Sequence, residues 1–126
     1  MGLELNGPPA IEPELLMQEV TSGRSPVIVD VRTKAEYCGG HILGSRLIPL
    51  HQLVARTCEL STHRADPIVL VSSDGVRAKI AAGALSLAGF SEVAVLDGGL
   101  RRWRELGFPL EDTLEAWTHH LGRPVR

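Results

Sequence analysis

Apolar residues in this chain fall in short unbroken runs rather than in alternation. Val27 to Val31 (V-I-V-D-V), Ile68 to Val71 (I-V-L-V) and Val93 to Leu96 (V-A-V-L) are brief and rich in β-branched side chains. That is the pattern of strands buried on both faces. Arg46 to Leu50 reads as a further short strand, closed by Pro49. Helical spacing separates these runs. Pro13 suits the first turn of a helix carrying Leu15, Leu16 and Val20, which Gly23 can end. Thr33 to Cys38 forms a short helical stretch stopped at Gly39-Gly40, and Leu53, Val54 and Cys58 give His51 to Leu60 helical spacing. Val76 to Ala88, with Gly89 as its stop, and Leu100 to Leu106, ended by Gly107, complete the set. Strands alternating with helices predict an α/β fold whose parallel sheet is covered on both faces by right-handed connections. Ligands of such a sheet bind beyond the carboxyl ends of its strands.

With 126 residues, the chain predicts one domain over 1–126, large enough to bury a core without metals or disulfides. A core spanning about 11–109 is followed by 110–126. There Leu114, Trp117 and Leu121 predict a short terminal helix packed on the domain or, alternatively, a docking segment for another chain. A net charge of −2 offers no basic face for nucleic acid. No apolar run reaches the length of a membrane span, and the N-terminus, with Pro8, Pro9, Glu12 and Glu14, lacks a secretory apolar core. The expectation is a soluble cytoplasmic protein binding neither nucleic acid nor membrane. Cys38 and Cys58 lack metal-ligand spacing and read as free thiols of a reducing compartment. Neither a metal nor a cofactor is expected.

The stretch V-L-V-S-S-D-G-V-R-A-K-I-A-A (69–82) carries the candidate chemistry. An apolar run ends in a small polar loop, and a helix begins at once. Gly75 lets the backbone curl, so the amides of Ser73, Asp74, Gly75 and Val76 can converge on one point. The positive end of the helix faces that point, and Arg77 adds a charge. An anion held at a helix start gains about 0.3–1 kcal/mol, or ~2 when partly buried. The loop therefore reads either as a weak site for a sulfur oxyanion or other small anion, or as a plain strand–helix turn with Arg77 solvated.

Three blocks resemble the rhodanese-like domain family. V-I-V-D-V-R-T-K-A-E-Y-C-G-G-H-I-L-G-S-R-L-I-P-L is similar to its D-V-R, E-Y/F, G-H-I, G-A and I-P series. S-S-D-G-V-R-A-K-I-A-A resembles its C-x-x-G-x-R-S-x-x-A-A loop, and A-G-F-S-E-V-A-V-L-D-G-G-L-R-R-W-R-E-L-G-F-P its final L-x-G-G, W and G-x-P series. The resemblance runs from about Ile11 to Pro109. It implies a central parallel sheet of about five strands with helices on both faces, and a sulfurtransferase whose loop cysteine carries sulfane sulfur as a persulfide. At the matching position stands Ser72. A thiolate is the attacking species in that chemistry, and an oxygen cannot become a persulfide. The resemblance thus implies a family member inactive in persulfide transfer that binds an anion or a protein partner. The alternative is an active sulfurtransferase in which the cysteine at position 72 was deliberately exchanged for serine.

Other chemistry fits less well. A serine nucleophile needs a base and an orienting third group, and the G-x-S-x-G elbow is missing. Four residues separate Ser72 from Arg77, one fewer than the loop of the related cysteine phosphatases. Asp74 is expected to cancel part of the charge of Arg77. Asp30 and Arg32 read as a pocket rim, or else Arg32 pairs with Glu36 four residues on. His41 is expected to support the loop, Trp103 to pack the last helix on the sheet, and Arg101, Arg102 and Arg104 to form a solvated helix face.

Overall fold

The computed structural model describes residues 7–60 and 63–112. Five strands, β1 (Ala10–Ile11), β2 (Val27–Asp30), β3 (Arg46–Leu47), β4 (Ile68–Val71) and β5 (Val93–Leu96), form one sheet in the order β1-β5-β4-β2-β3. Every pairing is parallel, with Val29 opposite Leu70 and Leu70 opposite Val95. The helices are α1 (Pro13–Ser22), α2 (Lys34–Cys38), α3 (Val76–Leu87) and α4 (Gly99–Glu105). Among the described residues, no helix is long and apolar enough to cross a membrane.

The unbroken apolar runs follow from burial on both sides. Val29, Leu70, Val93 and Val95 point to one face, where Ala78, Ala81, Ala82 and Leu85 of α3 cover them. Ile28, Val69, Val71 and Leu96 point to the other, against Leu16 of α1 and Leu100 and Trp103 of α4. Small alanines let α3 sit close on the sheet, whereas Trp103 fills the opposite layer, edge-on to Phe108, its indole N–H donating to the Pro109 carbonyl. Helices on both faces are what the strand–helix alternation predicts.

Three expectations need correction. Residues 51–60 are not an α-helix but two 3₁₀ segments, Leu50–Gln52 and Val54–Glu59, broken by non-helical dihedrals at Arg56. The strand β1 goes unseen in the pattern because it is two residues long. Glu111, read as the start of a terminal helix, instead pairs its backbone with that of His41 in an antiparallel bridge. The rest of the expected terminal helix, 113–126, lies outside the described residues.

Leu70 is fully buried in the middle strand. Leu70→Ala is expected to cost about 2–5 kcal/mol by lost transfer energy and cavity formation, read as a lower denaturant midpoint at unchanged slope.

Candidate functional site

The carboxyl ends of β2 and β4 lie side by side, Asp30 opposite Val71. Beyond them the loop from Ser72 to Gly75 leads into α3. The residue at the helix N-cap position is Gly75, at φ 101°, ψ −12°. An added Cβ there would meet nothing within 4 Å, so the left-handed backbone rather than crowding calls for glycine. A glycine has no side chain with which to cap the helix, and two neighbours do so instead. Ser72 Oγ, fully buried, accepts from the N–H groups of Gly75 (3.1 Å) and Ala78 (3.2 Å). Asp74 Oδ1 accepts from the Val76 N–H at 3.1 Å. Two amides thus converge on the residue-72 side chain, but the Val76 amide, expected in that cup, is diverted to Asp74.

Arg77 is paired rather than free in solvent. Its guanidinium forms a fork on Glu36, Nη1 to Oε1 at 2.7 Å and Nη2 to Oε2 at 2.9 Å, joining α3 to the start of α2. Ser73 Oγ lies at 3.3 Å from both Glu36 Oε2 and Arg77 Nη2. Glu36 is held in place from its own side as well, since it closes a capping box with Thr33. The hydrogen-bonded Arg77 guanidinium, outweighing partial burial, holds the Glu36 carboxyl well below the usual carboxylate range, and Glu36 raises Arg77 in return. The charge of Arg77 is therefore met chiefly by Glu36, with Asp74 adding a smaller share.

The expected pairing of Arg32 with Glu36 does not form. Arg32 precedes α2 and lies outside the helical repeat; it is buried and makes a bidentate contact with Asp30 at 2.9 and 2.8 Å, with a further bond to the Gly40 carbonyl at 2.7 Å. This buried pair ties the end of β2 to the turn after α2. Arg32 also helps line an open hollow of about 350 Å³ with Val31, Thr33, Pro49, Leu50, His51 and Arg77. His41 stacks on Tyr37 at 3.8 Å, and its Nδ1 bonds the Tyr37 carbonyl. Cys38 and Cys58 are free and belong to other segments.

The loop has a third support that no side-chain pattern announces. The first amides of α4 reach back to it: Leu100 N–H donates to the Ser72 carbonyl and Arg101 N–H to the Ser73 carbonyl, both at 2.9 Å.

Comparison with known proteins places this architecture. The model of the rhodanese-like domain matches residues 12–106. This chain belongs to the rhodanese-like domain family. The rhodanese-like domain is 40% identical over 90 residues to the uncharacterized protein YqhL of Bacillus subtilis, covering 71% of this chain and 70% of that one. It is 39% identical over 97 residues to the thiosulfate sulfurtransferase GlpE of Ectopseudomonas mendocina, covering 75% and 83%. The solution structure of the rhodanese-like domain of Alr3790 from Anabaena superposes with a TM-score of 0.76 at 30% identity, covering 86% of this chain and 82% of that one. Relatives named as sulfurtransferases put this rhodanese-like domain in a sulfurtransferase family.

Two measurements check the site's internal bonding. Ser72→Ala leaves the Gly75 and Ala78 amides without their acceptor and is expected to cost about 1–3 kcal/mol, seen by chemical denaturation. Glu36→Gln preserves the capping box but removes the ion pair. Because the folded-state pKa of Glu36 is depressed, the pair stabilises above the ordinary carboxyl value of 4.5 and loses that contribution as pH falls below it. Both side chains are about one-third exposed, so the loss at neutral pH is set at about 0.5–1 kcal/mol. The gap between the two proteins should narrow on acidification; a gap that stays constant contradicts the pairing.

Proposed function

We propose that this rhodanese-like domain is a recognition module that stores no sulfur at residue 72, its binding face being loop 72–77 with the adjoining hollow. The observation that carries this reading is the state of Ser72. In the motif match it falls where the family's loop has the persulfide cysteine, and its oxygen is buried and engaged as the acceptor of two amides that cap α3. Persulfide storage requires a thiolate to attack a sulfane sulfur, an S–S bond to form and sulfite to leave. A serine oxygen supplies neither the thiolate nor the S–S bond.

Between a small sulfur oxyanion and a protein partner, the geometry favours the partner. Arg77, the loop's cation, is already forked onto a carboxylate. Asp74 stands exposed at the mouth with its negative charge, and the Val76 amide is spent on it. What remains open is an apolar hollow walled by Val31, Pro49 and Leu50, with exposed Val76 at the start of α3. An apolar side chain of a partner fits that hollow better than a sulfur oxyanion does. Two free thiols, one of them exposed, are in keeping with a reducing compartment, and we place the domain in the cytoplasm.

A second reading has one observation in its favour. Amides still converge on the side-chain atom of residue 72, as they would on a thiolate. The domain is then a sulfurtransferase whose cysteine was exchanged for serine, and a cysteine codon at position 72 in the natural gene would establish it. One experiment tests the first reading. The purified domain is incubated with thiosulfate and cyanide while thiocyanate is measured, and the peptide holding residue 72 is weighed for an added sulfur atom. No added sulfur is expected, and no thiocyanate beyond that formed with Ser72→Ala. Turnover in the parent protein that disappears in Ser72→Ala overturns the proposal.

A further inference from the structure

The backbone contacts between α4 and the loop have a directional consequence. A trans peptide sets its N–H opposite its C=O. With the Ser72 and Ser73 carbonyls bonded to α4 through Leu100 and Arg101, the N–H groups of Ser73 and Asp74 are turned away from α4. The two helices cover opposite faces of the sheet, and the amides that reach Ser72 Oγ, those of Gly75 and Ala78, follow on the α3 side, so the grip of α4 holds the stretch of loop that leads to them.

The approach that permits these bonds leaves no room for a side chain. At Gly99, φ is 63°, and an added Cβ would lie 2.6 Å from the Ser73 carbonyl oxygen and 2.7 Å from that of Ser72. Both obstacles are backbone atoms of the loop and cannot swing aside. Gly98, also left-handed at φ 78°, is equally crowded, but its added Cβ would meet Arg102 of the same helix at 2.7 Å. Adjacent glycines therefore share the same backbone strain and differ in what a methyl group would displace: α4 itself for Gly98, the loop for Gly99.

We infer that Gly99 is a positioning residue for the cup: by letting the first amides of α4 grip the Ser72 and Ser73 carbonyls, it fixes the course of the loop from which the Gly75 and Ala78 N–H groups reach the atom projecting from residue 72. The inference concerns the cup alone and holds whichever partner the domain recognises.

The test puts a titrating atom at that place. In Ser72→Cys the thiol pKa is read from the pH dependence of iodoacetamide modification, followed by mass on the residue-72 peptide so that Cys38 and Cys58 do not contribute. The converging Gly75 and Ala78 amides are expected to hold that pKa below the ordinary thiol value of about 8.5. Adding Gly98→Ala should leave it in place, whereas adding Gly99→Ala should return it towards the ordinary value, with about a tenfold fall in thiolate for each unit of rise. Thiol pKa values that agree in Ser72→Cys and Ser72→Cys/Gly99→Ala, or a Gly98→Ala shift as large as that of Gly99→Ala, overturn the inference. Where Gly99→Ala does not fold, Ser72→Cys/Arg101→Pro replaces it. Arg101 is exposed and lies in the first turn of α4, where proline is tolerated, so this variant removes one donor from the Ser73 carbonyl. An unshifted thiol there also overturns the inference. None of these outcomes bears on whether the parent protein, with serine at 72, transfers sulfur.

Discussion

Where β4 leaves the sheet, its backbone passes from ladder to helix through a loop whose first residue is fully buried. Carbonyls that have lost their ladder, and the first N–H groups of a helix that have no partner within it, must be satisfied without relying on water. The structure divides the work. Amides of α4 take the Ser72 and Ser73 carbonyls on one side. Ser72 Oγ and Asp74 Oδ1 take the Gly75, Ala78 and Val76 amides on the other. Most other features of the site are consequences of this requirement. Gly75 turns the chain into α3, Gly98-Gly99 bring α4 close, and Ser72 and Asp74 serve as acceptors for the loop and helix backbone.

Electrostatics then close what backbone bonding leaves open. Asp30 neutralises Arg32 in a buried bidentate pair, and Glu36 neutralises Arg77 at the loop's edge. Removing one partner of the buried pair would strand a charge, a far larger penalty than the pair's net contribution to stability. The Glu36 pair is about one-third exposed and individually weak, but it bridges segments 41 residues apart. That carboxylate is itself held in position by a capping box and a serine hydroxyl.

Much of this was legible in the residues, and the failures have definite causes. Runs such as I-V-L-V announce two-sided burial, so β2, β4 and β5 are readable, as is the sheet end at which the loop falls. Segment 51–60 has helical apolar spacing, yet it lacks the continuous i to i−4 bonding that spacing alone cannot guarantee, and Arg56 departs from helical dihedrals. Arg32 and Glu36 have the right separation for a helical pair, but α2 begins only at Lys34 with Thr33 as its cap, so the spacing rule does not apply to Arg32. The partner of Arg77 lies in another element, beyond reach of any local pattern. One clue existed: T-K-A-E is a capping box, which fixes Glu36 at the start of a helix following the strand beside β4. Backbone donors such as Leu100 and Arg101 N–H leave no chemical mark in the sequence beyond the paired glycines before them.

The same division of labour explains how a scaffold of this family can hold serine where the family motif has cysteine. The cup is made of main-chain N–H groups, so its construction does not depend on which atom residue 72 presents, only on that atom's accepting hydrogen bonds. Oxygen does this at least as well as sulfur. On the proposed reading, exchanging one for the other keeps an acceptor for the amides that cap α3 and does not touch the α4 bonds, which are made by backbone alone. The proposed loss of persulfide chemistry therefore asks for no change in the fold. In that proposal Glu36, forked onto Arg77, and Asp74, which holds the Val76 amide, weigh against a small anion, and the apolar hollow beside Arg77 is the surface offered to a partner.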